Sequence, residues 1–151
     1  MSEGYATAAT ISEAVGHPTV AALDAGNLTP VALTLHEAFP DKPIVIAGDN
    51  DRHLKKEKKD NIGKTKAREA AEAVNGKAVF PEIRSWDLKP GLTLADTASL
   101  TDFNDLATVH KNGLQGVKRQ VEKGYVAKSL KERAKEAVLD VKERALEMVM
   151  S

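Results

Sequence analysis

The chain has 151 residues and 42% hydrophobic content, which suits one domain with a single core and at most an appended helical segment. It contains no cysteine, which excludes disulfides, thiolate metal sites and thiol nucleophiles, and no stretch is apolar enough for a signal peptide or membrane span, so we expect a soluble cytoplasmic protein. Its 22 basic and 22 acidic residues cancel, so any nucleic-acid binding must use local basic patches.

The first half of the chain is predicted to alternate helices and strands. In chain order these are a helix over residues 6–15, a strand over 19–23, a helix over 30–39, a strand over 44–47, a helix over 64–74 and a strand over 77–81. Thr29 and Pro30 are typical of a helix N-cap followed by the first helical position. The alternation favours a small, mostly parallel sheet with right-handed crossovers and helices on both faces. The predicted fold class is therefore α/β.

The second half is predicted to be irregular over residues 82–101 and helical thereafter. A short helix opens at Asp102 and breaks at Gly113, and two further helices follow over 114–123 and 130–150. The last one carries a narrow apolar stripe. The stripe consists of Leu130, Ala134, Ala137, Val138, Val141, Ala145 and Val149. It either contacts a partner helix or packs onto the domain's own sheet, and the second alternative is favoured.

The strand over residues 44–47 ends in two acids, Asp49 and Asp51. Because the run is apolar throughout, it is predicted to be a buried parallel strand, and ligands bind at the carboxyl ends of such strands. Two carboxylates placed there are costly unless a cation neutralises them, and oxygen ligands suit Mg²⁺ or Mn²⁺. Glu3, at the start of the first helix, is expected at the same edge. The alternative for the acids is helix capping or loop hydrogen bonding.

Basic residues follow the two acids. Residues 52–63 are polar and charged, and are predicted to form a mobile loop. Two explanations are open for four lysines of this loop: contact with the backbone of a nucleic-acid template, or simple solvation. These lysines are Lys55, Lys56, Lys58 and Lys59. Lys64, Lys66 and Arg68 open the next helix, near enough to phosphates at the acids to offset their charge. For Arg68 a solvated helix face is favoured.

Four segments together resemble a known family. They are Glu3-Gly4-Tyr5-Ala6-Thr7-Ala8, Asp24-Ala25-Gly26-Asn27-Leu28, Ile46-Ala47-Gly48-Asp49-Asn50-Asp51-Arg52-His53 and Gly63-Lys64-Thr65-Lys66-Ala67-Arg68-Glu69-Ala70-Ala71. In this order they resemble the Toprim domain of topoisomerases and bacterial-type primases, and more narrowly the Toprim module of plasmid and conjugative-transfer primases. Asp102-Phe103-Asn104-Asp105 resembles the later acidic element of Toprim primases. The resemblance implies a Rossmann-like Toprim catalytic domain over residues 1–110 and a helical extension over 111–151.

The resemblance also implies roles for individual residues. Glu3 matches the family's proton-handling glutamate, and Asp49 and Asp51 match the pair that binds Mg²⁺ or Mn²⁺. Asp102 and Asp105 complete a second metal-binding acidic cluster, unless Asp102 only caps its helix. The residues placed against nucleotide or DNA are Gly26, Asn27, Arg52, His53, Lys64 and Lys66. For Gly26 and Asn27, an ordinary tight turn is an equally good explanation. For His53, the alternative is a surface histidine without a functional role.

The implied reaction is metal-dependent nucleotidyl transfer, which joins ribonucleoside triphosphates into RNA primers on single-stranded DNA in plasmid replication or conjugative transfer. A helicase or other replication and transfer proteins are further expected partners. The alternatives are a Toprim-type metal-dependent nuclease and a non-catalytic DNA-binding or assembly module. One departure stands out: the family has a strand before the glutamate, whereas only Met1 and Ser2 precede Glu3. Either the chain is a piece cut from a longer primase, which is favoured, or another segment or another copy fills the position of that strand. Primer synthesis is expected of the parent protein first.

Overall fold

The computed structural model describes residues 1–52 and 61–150. Its helices and strands are α1 (Tyr5–Val15), α2 (Leu28–Ala38), β1 (Val45–Ala47), α3 (Ile62–Ala73), β2 (Lys77–Val79), α4 (Phe103–Val109) and α5 (Leu114–Met150). The strands pair in parallel, with Ile46 opposite Ala78. The predicted α/β class with a small parallel sheet and a helical extension is confirmed.

The apolar character of β1 follows from its position between two cores. Ile44 and Ile46 face one cluster, formed with α2 and α3, while Val45 and Ala47 face a second cluster, formed with α1, α4 and α5. Both faces of the strand are therefore covered by helices, as predicted. Ile46 is fully buried, and burial of such a side chain contributes about 1.5–3 kcal/mol. This strand fixes where the two acids behind it lie.

Met1 and Ser2 occupy a central position beside β1. The Ser2 N–H donates to Val20 O at 3.0 Å, and the Ala22 N–H donates to Ser2 O at 2.9 Å. On the other side the Ala47 N–H donates to Met1 O at 2.8 Å. Residues 1–2 form only isolated parallel bridges and no strand, as expected of so short a segment. They occupy the position between Ala21 and Ala47 themselves, so the alternative that another segment fills it is wrong. Backbone hydrogen bonds on both sides hold Met1 and Ser2 in a parallel arrangement. Glu3, the next residue, therefore lies at the edge where β1 ends.

The strand predicted over residues 19–23 is wrong in extent. It is reduced to one parallel bridge between Ala21 and Ser2. Leu23 has φ 69°, a left-handed conformation that ends extended structure. Since a partner of two residues offers few backbone groups, the segment has little to pair with.

Helices α2 and α3 begin two residues earlier than predicted. The 3₁₀ turn Ala25–Asn27 leads directly into α2, so Asn27, and not Thr29, is the N-cap position. Helix α3 begins at Ile62 because the Asn61 side chain accepts the Lys64 N–H at 3.0 Å. These shifts leave the order of elements unchanged.

A single helix, α5, replaces the two helices predicted over 114–123 and 130–150. Gly124 is a packing position within it, because a Cβ at that residue would lie 2.9 Å from Val45 Cγ1 and 3.0 Å from Val79 Cγ1. Further along, Val138, Val141 and Val149 are 55%, 65% and 84% exposed, so the expectation that the stripe packs onto the domain's own sheet is wrong for these residues. None of the helices in the described ranges has the length and apolarity needed to cross a membrane.

Candidate functional site

The two acids lie where β1 meets the amino-terminal turn of α3. The Gly48 N–H after β1 donates to Val79 O at 2.9 Å, and Asp49 and Asp51 follow. A Cβ placed on Gly63 would lie 3.4 Å from Asp49 Cβ and 3.6 Å from Asp51 Oδ2. The carboxylates therefore sit against the positive end of a helix, whose first backbone N–H groups favour anions.

Five carboxylates converge at this edge, and together they form what we call the acidic cluster. Burial raises the pKa of Asp49 to about 7, and repulsion by the other four carboxylates adds to the effect. Those four belong to Glu3, Asp102, Asp51 and Asp105. The predicted approach of Glu3 to the aspartates is thus found, although 46 positions in the sequence separate Glu3 from Asp49.

The donor set of the acidic cluster fits a hard divalent cation. The Asn50 side-chain oxygen, between the two aspartates, is buried and has no hydrogen-bond partner in the part of the chain that the structure describes. Within that part, no three acidic or histidine side chains form a ready-made set of metal ligands. Mg²⁺ is usually held by one or two carboxylates, with water and substrate phosphates completing its shell. The residues therefore fit Mg²⁺ or Mn²⁺ on Asp49 and Asp51 better than a closed structural site.

Asp102 and Asp105 form a capping box at the start of α4. Asp102 Oδ1 accepts the Asp105 N–H at 2.7 Å, and Asp105 Oδ2 accepts the Thr101 N–H at 2.8 Å. The capping alternative thus describes Asp102, and metal ligation by this pair stays a prediction. Asn104 of the same element accepts the Thr10 hydroxyl at 2.7 Å, which ties α4 to α1.

The turn after Ala22 touches the acidic cluster through its backbone. Gly26 donates its N–H to Asp24 Oδ1 at 2.7 Å, and the Asn27 amide donates to Ala22 O at 3.1 Å. Burial, and then repulsion by Asp24 and Asp51, raises the pKa of Glu3, while a hydrogen bond from the Ala25 N–H opposes the rise. Ala25 is a site residue that the sequence did not reveal, because a backbone donor carries no side-chain signature.

Arg52 acts as a tether in the structure. Its Nη2 donates to Thr97 O at 2.8 Å and lies 3.5 Å from Leu100 O. These contacts hold the segment before α4 against the acidic strand end, and nucleotide binding by Arg52 stays a prediction. His53 and the four loop lysines, Lys55, Lys56, Lys58 and Lys59, lie outside the described residues.

The basic residues of α3 divide between two faces. Lys66 Nζ lies 3.1 Å from Glu69 Oε2 on the surface. Lys64 Nζ and Arg68 Cζ lie 5.0 Å and 5.5 Å from the centroid of the Phe80 ring. Arg68 is exposed, as expected of a solvated helix face, and it also lines a pocket beside the acids.

This pocket, which we call the basic pocket, has a volume of about 250 Å³. Its principal lining residues are Asn50, Lys64, Arg68, Phe80, Gln120 and Lys123. Gln120 and Lys123 come from α5 and were missed, because their spacing from the acidic strand in the sequence gives no signal of contact.

Comparison with known proteins places this geometry in a family. The Toprim domain model matches residues 1–113, which include the acidic cluster. A protein of Escherichia coli named DNA primase TraC is 40% identical over 194 aligned residues, which cover 96% of this chain and 18% of that protein. A second one of the same name and organism is 42% identical over 170 residues, covering 80% of this chain and 12% of that protein. No solved structure matches.

The chain therefore spans less than a fifth of these relatives, as the 18% and 12% coverage shows. The predicted resemblance to the Toprim domain of DNA primases is confirmed over the segments that carry it. The acidic strand end, the turn after Ala22 and the capping box all lie within the matched residues. The chain belongs to the Toprim domain family.

Proposed function

We propose that the chain is the metal-binding catalytic core of a DNA primase, which makes RNA primers on single-stranded DNA in plasmid replication or conjugative transfer. The observation that carries the proposal is the placing of Asp49 and Asp51 at the end of β1, against Gly63 and within repulsive range of Glu3. The Toprim match and the similarity to proteins named DNA primase support it. We assign catalysis to residues 1–110 and a helical extension to 111–151.

The acidic cluster suggests a division of roles. Asp49 and Asp51 would hold Mg²⁺ or Mn²⁺, which when bound neutralises charge on the reacting phosphates and the pyrophosphate. Glu3, oriented by the Ala25 N–H, would accept the proton of the attacking 3′-hydroxyl. The hydroxyl oxygen then bonds to the α-phosphorus of the next ribonucleotide, and pyrophosphate leaves. The substrates are ribonucleoside triphosphates and a single-stranded DNA template.

Primer synthesis by a longer parent protein tests the proposal. Asp49→Asn together with Asp51→Asn should abolish labelled primer formation with Mg²⁺, because the metal loses both carboxylates. Asp41→Asn, which removes an exposed carboxylate before β1, is the matched control and should leave synthesis unchanged. Primer synthesis that survives the double substitution would contradict the proposal.

The same proteins separate a primase from a nuclease. Single-stranded DNA is incubated with protein and Mn²⁺, with and without ribonucleotides. A primase extends RNA only when ribonucleotides are present and leaves the DNA intact. Cleavage in their absence, lost on Asp49→Asn, would instead assign the acidic cluster to strand hydrolysis.

A further inference from the structure

The basic pocket lies directly beside the acidic cluster but has the opposite charge. Asn50, between the two aspartates, forms part of its wall. Lys64 and Arg68 enter from α3 and Lys123 from α5, so three cations surround a volume of about 250 Å³. Among the described residues that line the pocket, Glu82 is the one acid, and it is paired with Arg84. The pocket therefore has an excess of positive charge next to a candidate metal site.

The scaffold fixes these cations relative to the acids. The Gln120 side chain accepts the Glu82 N–H at 2.8 Å and donates to Glu82 O at 2.9 Å. This paired contact anchors α5 three residues before Lys123. On the other wall, the Phe80 ring lies beneath Lys64 and Arg68. Cation–π contacts restrain both side chains, and the five N–H donors of an arginine allow Arg68 to bind more than one acceptor.

The shape of the basic pocket indicates which part of a nucleotide it suits. Its volume of about 250 Å³ is below the range of roughly 300–1,000 Å³ that encloses a drug-sized ligand. The Phe80 ring is covered by two cations at 5.0 Å and 5.5 Å, so it serves as their support more than as a stacking platform for a base. Phosphate oxygens, in contrast, match lysine and arginine donors in both charge and hydrogen bonding.

We propose that the basic pocket binds phosphate groups, and that Lys123 of α5, outside the residues matched to the Toprim domain, supplies part of its charge. The inference rests on the proposed function for the source of the phosphates. These belong either to the polyphosphate of a ribonucleoside triphosphate or to the backbone of single-stranded DNA. In both cases the helix α5 is part of the substrate site and is not a separate appendage.

Binding to the 151-residue chain tests the proposal. Three probes are titrated in EDTA, namely ATP, inorganic tripolyphosphate and a fluorescent oligo-dT. The variants are Arg68→Ala, Lys123→Ala and the pair; both side chains are exposed, so the fold should persist, which circular dichroism checks. Lys118→Ala is the matched control, because Lys118 lies on the same helix and is 3.9 Å from Glu122. Lys123→Arg should restore affinity.

Each single loss is expected to weaken phosphate binding about tenfold, since a charged hydrogen bond is removed, whereas Lys118→Ala should change it less than about twofold. If the variants bind ATP and tripolyphosphate more weakly but bind DNA unchanged, the ligand of the pocket is the polyphosphate. If only DNA binding is weakened, the ligand is the DNA backbone. Equal affinities of all variants and the control, or no binding of any probe to the original chain, would overturn the proposal. Because every titration is carried out in EDTA, its outcome does not depend on the proposed metal site, so a failure of that site is distinguishable from a failure of the pocket.

Discussion

Phe80 lies directly on Gly48, the residue before the acidic pair. A Cβ at Gly48 would lie 2.5 Å from Phe80 Cε1 and 2.6 Å from Ala67 Cβ, distances that no packed side chain tolerates. Because Gly48 has no side chain, Phe80 of the basic pocket can pack directly against the backbone that leads into the acidic cluster. The Phe80 ring therefore contacts Lys64 and Arg68 and also packs against the backbone just before Asp49.

Gly48→Ala should destabilise the protein by about 1–3 kcal/mol, the usual cost of overpacking. Urea unfolding measures the loss. Gly63→Ala is the matched control, because its Cβ would meet its nearest atom at an ordinary 3.4 Å and alanine favours the helix by up to about 1 kcal/mol. Equal unfolding free energies for the two variants would contradict the close contact between Gly48 and Phe80.

Asp49→Asn should make stability less dependent on pH. Burial raises the pKa of Asp49 to about 7, above the unfolded value of about 4, so the native state binds the extra proton between these values. The free energy of unfolding of the original chain should therefore fall as pH rises through that window, relative to the variant. Urea unfolding in EDTA at pH 4 to 8 measures it.

The expected result is a variant that matches the original chain near pH 4 and exceeds it in stability above pH 7. Asp41→Asn, the exposed control, should show no such divergence. If the curves of Asp49→Asn and the original chain run parallel across the window, the carboxyl is not destabilised by its surroundings.

Two substitutions of Asp102 separate capping from metal binding. Asp102→Ala removes the acceptor of the Asp105 N–H and should cost about 1 kcal/mol. Asp102→Asn keeps an acceptor and should cost much less. If Asp102 also holds a cation, the asparagine variant loses Mn²⁺ affinity while its stability stays close to normal. Unchanged Mn²⁺ affinity would leave Asp102 with the capping role alone.

Gly124→Ala tests the seating of α5 on the sheet. The added Cβ would approach Val45 Cγ1 and Val79 Cγ1 to 2.9 Å and 3.0 Å, so overpacking should outweigh the gain in helix propensity, with a net loss of about 1 kcal/mol. Thermal unfolding measures the change. A stabilised variant would show that Gly124 faces open space and that the helix is seated differently.

The sequence predicts the parts of this site that depend on local pattern. An apolar run on both faces predicts β1, and a carboxylate pair behind it predicts the acidic edge. Capping of the short helix by Asp102 is one of the two alternatives that the sequence leaves open, beside metal binding. The apolar stripe around Val141 is visible as a pattern as well, although its exposure is not.

Other features depend on contacts between distant segments. Whether Lys66 or Arg68 faces the site depends on the rotation of α3, which is set by Ala67 packing under Gly48. Gly124 has the signature of a helix break, but its closeness to two strands makes it a packing position. The short Met1–Ser2 pairing depends on backbone donors, whose presence is the same in every sequence.

Mn²⁺ binding to the 151-residue chain is the most direct test of whether Asp49 and Asp51 hold a divalent cation. Free Mn²⁺ is counted by electron paramagnetic resonance during titration at pH 8, where Asp49 is ionised. We expect saturable binding that Asp49→Asn and Asp51→Asn each weaken by at least about tenfold, while Asp41→Asn leaves it unchanged. Equal Mn²⁺ affinity in all four proteins would contradict this expectation.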